Sequence, residues 1–193
     1  MGKGRVEAFS DGVIAIIITI MVLELKVPHV ASWEALKPLI PVFLCYIMSF
    51  IYIGIYWNNH HHLYHAVNKV NGQVLWANLH LLFWLSLVPF VTAWMGENHY
   101  ESLPVAFYGF VLLMSGFAYE LQVNRLFAIH DKDSALVMTL KRDYKGAASV
   151  AIYLAAISLS FWSPYLACSL YILVAILWLI PNRRLEKEMS HGA

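Results

Sequence analysis

Charge is scarce in this chain. Of its 193 residues only 13% are Asp, Glu, Lys or Arg, about half the share found in soluble globular domains, which excludes an ordinary water-soluble fold. What charge there is nearly cancels, at a net +1, and no Lys/Arg stripe with interleaved aromatics occurs, so a nucleic-acid partner is excluded. Cysteine is limited to Cys45 and Cys168, each inside an apolar stretch where a thiol behaves as a small hydrophobe, so no disulfide framework is expected. No small-x-small cleavage site follows the first apolar run, and Glu7 and Asp11 precede it, so the run is expected to be a retained helix and not a signal peptide. The opening "MGKGRV" lacks the hydroxyl residue that myristoylation requires.

What the chain has instead is apolar surface. It is 60% hydrophobic with a mean hydropathy of +0.62, the composition of an integral membrane protein. A spanning helix needs about 20 mostly apolar residues, and six segments qualify, at roughly 9–25, 37–57, 74–95, 103–122, 146–163 and 165–181. These make one all-α, six-helix transmembrane domain over 1–193, with a lipid bilayer as its surroundings. Pro89 predicts a kink in the third span, with Thr92 or water compensating the lost hydrogen bond. "WSPY" joins the last two spans as a hairpin.

Lys and Arg set the orientation. With an inside N-terminus, 11 of the 13 basic residues fall on the inner side, leaving Lys26 and Lys37 outside, so both termini are expected in the cytoplasm, in a cell membrane. The longest polar connection, at 123–146, is expected to carry an interfacial amphipathic helix through Leu136, Met138 and Leu140. Tyr56, Trp57, Trp94, Tyr100, Trp162 and Tyr165 sit at span ends, as membrane anchors do.

The first span holds an unusual combination, "RVEAFSDGVIAIIITIMVLEL". At 100° per residue, Ile16, Ile20 and Leu23 fall within about 60° on one stripe, which Phe9 and Gly12 extend, with Thr19 at its edge. Asp11 lies about 140° from Ile16. An intramembrane carboxylate marks a function or a specific internal bond, whereas a carboxylate at headgroup level would merely cap the helix, as would Ser10. From the residues alone both readings stand.

Arg5, Phe9, Ser10 and Asp11 at the inner end of a first helix, followed by "GVIAIIITIMVLEL" and "KVP", resemble the signature of the endolysosomal potassium channel family called transmembrane protein 175 and its prokaryotic relatives. The resemblance implies a potassium-preferring cation channel, with potassium as permeant ion, no cofactor and no small-molecule substrate. It implies that first helices surround a central pore, and because the motif occurs once, that four copies assemble as a homotetramer. It places the constriction at Ile16, with Ile20 and Leu23 as further rings and Thr19 as a contributor to selectivity. A ring of branched aliphatic side chains would gate by dewetting, and no "TVGYG" carbonyl filter is present. Arg5, Phe9, Ser10 and Asp11, together with Trp57 and His61, are then expected to latch the first helix to its neighbours.

Three other readings compete. A proton-coupled transporter would use Asp11 and the cluster His60, His61, His62 and His65, although no second copy of an interrupted helix is found. A metal-dependent membrane enzyme would use His61 and His65, whose i, i+4 spacing can share a metal, but the chain has one such box where histidine-box oxygenases need several. A protein that only assembles, without transport, is the third. Glu24 is expected either to form an outer acidic ring or to pair with Lys26 or solvent.

Overall fold

A computed structural model describes residues 2–67, 69–130 and 144–179. Among them every regular element is helical. The described residues make six helical passes: α1 (Lys3–Leu23); a short α2 (Trp33–Leu36) leading through a 3-10 turn, Lys37–Leu39, into α3 (Ile40–His65); α4 (Gly72–Ser86) continued by α5 (Val88–Glu97); α6 (Ser102–Phe127); α7 (Lys145–Leu159); and α8 (Pro164–Leu179). The first four passes are long and apolar enough to cross a membrane, and α7 and α8 are shorter apolar helices. The expected interfacial helix at 136–140 lies outside the described residues.

Two helices run farther than their apolar spans. α1 begins at Lys3, so Ser10 and Asp11 lie within the helix and neither caps it. α3 continues past Trp57 through all four clustered histidines to His65. Its last carbonyls are capped from a distance, because Lys3 Nζ donates to the carbonyls of Tyr64 and His65, each at 3.1 Å. A cation is favoured there by the helix dipole.

The third pass breaks at Leu87, just before Val88–Pro89. Pro89 has no amide hydrogen to give the preceding turn. Thr92 Oγ1 donates to the Val88 carbonyl at 2.6 Å and meets Ser49 Oγ at 2.7 Å, so its hydroxyl is used inside the protein and helps hold the kinked segment against α3. α5 also approaches α3 at Gly96, where a Cβ would stand 2.7 Å from Val42 Cα. Only glycine permits that contact.

Packing divides into two apolar clusters with a polar layer between them. The larger joins residues of α1 and α3 to α8, among them Ile14, Ile17, Ile53, Leu81, Met95, Leu112 and Tyr171. The smaller lies at the Lys3 end around Val6, Leu63, Tyr64, Val74, Val123 and Leu126. Between them, on four different helices, sit the buried Ser10, His60, Asn78 and Gln122. α7 and α8 form the expected hairpin, its turn closed by Trp162 and Ser163 amides on the Leu159 carbonyl at 2.9 and 2.8 Å.

Candidate functional site

α1 has two faces, and they point to different surroundings. Val6, Ser10, Ile14, Ile17 and Met21 are buried, at the helical spacing that lets α1 pack on α3, α4 and α5. The stripe of Ile16, Ile20 and Leu23 is centred about 120° away round the helix. These side chains stay 58%, 42% and 79% exposed in the single chain. Phe9 and Thr19 are exposed with them. Thr19 Oγ1 donates to the Ile16 carbonyl at 2.8 Å, which spends its hydrogen inside the helix and leaves its oxygen lone pairs available.

Ser10 and Asp11 are adjacent in sequence and serve different neighbours. Ser10, fully buried, reaches Asn78 of α4: its Oγ stands 3.2 Å from Oδ1 and accepts from Nδ2 at 3.0 Å. Asn78 Oδ1 is also 2.9 Å from His60 Nε2 and accepts from Gln122 Nε2 at 2.8 Å. An amide oxygen can only accept, so His60 carries its proton on Nε2. Gln122 Nε2 bonds Tyr64 Oη as well, at 2.9 Å, and the His60 ring stacks on Tyr64. One asparagine thus ties α1, α3, α4 and α6 together.

Asp11, exposed on the other side of α1, accepts from Trp57 Nε1 of α3 at 3.0 Å. The Trp57 ring stacks on His61, with centroids 5.9 Å apart. Asp11, Trp57 and His61 therefore form a second connection between α1 and α3, separate from the Ser10 layer. Arg5 lies exposed in the first turns of α1 and Phe9 exposed one turn later; neither joins these two sets. Trp57→Phe keeps the stacking ring and removes the indole hydrogen, and should lower the thermal unfolding midpoint in detergent by about 2 °C. An unchanged midpoint would mean that water replaces the indole without loss.

Sequence reasoning missed the centre of the polar layer. Neither Asn78 nor Gln122 is marked by any pattern within its own segment. The available signal was an amide near the end of each of two apolar runs, since a group close to a membrane interior finds its partner on another helix.

At the opposite end, Lys26 pairs with Glu97 at 2.5 Å and Glu24 is exposed. Glu97 raises the Lys26 pKa through its hydrogen bond and charge. His61 and His65 stand with ring centroids 6.2 Å apart, and among the described residues no group of three or more His, Cys, Asp or Glu is arranged to hold a metal ion.

A family model described as Endosomal/lysosomal potassium channel TMEM175 matches residues 5–89. A potassium channel of Chryseobacterium sp. is 55% identical across the whole of both chains. One of Chamaesiphon minutus is 32% identical over 90% of this chain and 91% of its own. The crystal structure of a lysosomal potassium-selective channel TMEM175 homolog from that organism superposes with a TM-score of 0.77 at 30% identity, covering 93% of this chain and 97% of the other. On these grounds the chain belongs to the TMEM175 family of membrane cation channels, not to a class of enzymes.

Proposed function

We propose that this chain is a passive, potassium-preferring channel of the cell membrane, formed by four copies whose α1 helices surround a central pore, with both termini in the cytoplasm. Ile16 is the constriction, and Ile20 and Leu23 form further rings toward the Leu23 end. The observation that carries this reading is the split character of α1. One face, with Ser10, is bound into the protomer, while the apolar stripe with Thr19 is left outside. Potassium preference is supported by the relatives, which are potassium channels.

Four branched aliphatic side chains would close a narrow ring by excluding water, and an ion crosses only while the ring is wet. Thr19, whose hydrogen is engaged by Ile16, offers an ion an acceptor oxygen next to that ring and so replaces part of its lost hydration. Asp11, Trp57 and His61 hold the helix at the rotation that presents Ile16. No cofactor is needed.

The test is potassium flux into liposomes, with sodium in a parallel sample. Ile16→Asn should wet the ring, and a barrier lower by about 1 kcal/mol raises flux roughly fivefold. No electrogenic flux from either form, in vesicles shown to hold tetramers, would remove the channel reading; equal flux from both would place the constriction elsewhere. Thr19→Ala should reduce the potassium-over-sodium ratio of reversal-potential measurements, and an unchanged ratio would take Thr19 out of selectivity.

A further inference from the structure

A cavity of about 360 Å³ lies among α3, α6, α7 and α8. Its size is that of a small drug-like ligand. Its walls are aromatic, including Tyr56, Tyr119, Tyr153 and Trp178, and its charged lining residue is Glu120. Tyr56 and Tyr119 meet edge to face with centroids 6.4 Å apart, so part of the wall is made of ring faces and edges.

The lining is polarised along the helix axes. On α3 it runs from Tyr52 to Asn59, about 10 Å of helix. Tyr52 and Tyr153, buried in the larger apolar cluster, form the deep end. Glu120, exposed, lies on α6 near the Lys145 end of α7, where a Cβ on Gly146 would stand 3.8 Å from its Oε2. Two glycines keep the space open. A Cβ at Gly116 would meet only Tyr56 Oη, at 3.8 Å. Aromatic faces attract cations through the ring quadrupole, most strongly where water is excluded. Trp178 already receives one, Lys145 Nζ, 5.8 Å from its ring centroid.

We propose that this cavity binds an organic cation with an ammonium head and an apolar body, the head at Glu120 between tyrosine rings and the body directed toward Tyr52 and Tyr153. A carboxylate at one end, aromatic walls and a buried aromatic end match an amphiphile of that polarity, and an anion would meet the wrong charge. A soluble alkylammonium and the amine of an aminolipid share this chemistry.

The full chain in detergent, titrated calorimetrically with 4-phenylbutylammonium and in parallel with its neutral isostere 4-phenylbutanol, tests the site. The amine should bind at least tenfold more tightly than the alcohol, Glu120→Gln should remove that preference, and Gly116→Leu should abolish binding by filling the cavity without touching backbone. Mass spectrometry of co-purifying lipid identifies the source: an aminolipid retained by the wild-type chain and lost from both variants supports the same site with a lipid occupant. Equal binding of alcohol and amine, amine binding that survives Gly116→Leu, or neither amine nor aminolipid bound to the wild-type chain would each overturn the proposal.

Discussion

Asn78→Leu should destabilise the protein by about 3 kcal/mol, because it removes the shared partner of three buried side chains at once. Leucine has the same branching and heavy-atom count as asparagine and is somewhat bulkier, so no cavity forms and the loss is chiefly polar. Ser10, His60 and Gln122 would keep their burial and lose Asn78. Gln122 retains Tyr64, which limits its share. Hydrogen bonds between membrane helices are individually modest, since the unfolded chain also finds partners in the bilayer, but a layer with its central member deleted has no ready replacement. Unfolding in detergent followed by tryptophan fluorescence gives the size of the effect. A loss below about 1 kcal/mol would show that the three side chains pair with one another or with water.

The second large effect comes from overpacking. At Gly109 on α6, a Cβ would stand 2.0 Å from Tyr171 Oη, 2.6 Å from Cζ and 2.9 Å from Cε1. Tyr171 has little room to yield: it is fully buried, flanked by the Tyr108 and Tyr153 rings, and its hydroxyl donates to the Val105 carbonyl at 3.1 Å. Gly109→Ala should therefore cost roughly 3 kcal/mol even after the gain in helix propensity, and should separate α8 from α6. Tyr171→Phe in the same chain removes the atom at 2.0 Å and leaves the ring, so it should recover only part of the loss. Full recovery, or no loss from Gly109→Ala alone, would mean that the ring moves freely.

The first helix was readable because its information is local. The stripe of Ile16, Ile20 and Leu23 follows from one period, and the family from one contiguous motif. Helix ends were harder, since a span boundary is set by lipid and a helix boundary by backbone bonding: the charged turn at Arg5 and Glu7, and the histidines after Trp57, leave the apolar run without leaving the helix. The kink at Pro89 was legible, but the role of Thr92, shared between the Val88 carbonyl and Ser49, depends on a neighbouring helix. The same holds for the polar layer. Ser10 and Asn78 are 68 positions apart and Asn78 and Gln122 are 44 apart, and no periodicity within a segment reports such a pairing.

The directional bonds that α1 makes to other helices gather near one end. Lys3, Ser10 and Asp11 are each tied to a different group, and Ser10 and Asp11 project about 100° apart. Such an arrangement acts as a keyed bearing: spinning the helix about its own axis would break both bonds together. Toward Leu23 the buried contacts are Ile14, Ile17 and Met21, which are apolar and without direction, and the loop beyond is held by the exposed Lys26–Glu97 pair, which water and salt screen. The cheap motion is therefore a pivot, with the Lys3 end as fulcrum and the Leu23 end swinging. A rod moved in this way displaces Leu23 more than Ile20 and Ile20 more than Ile16.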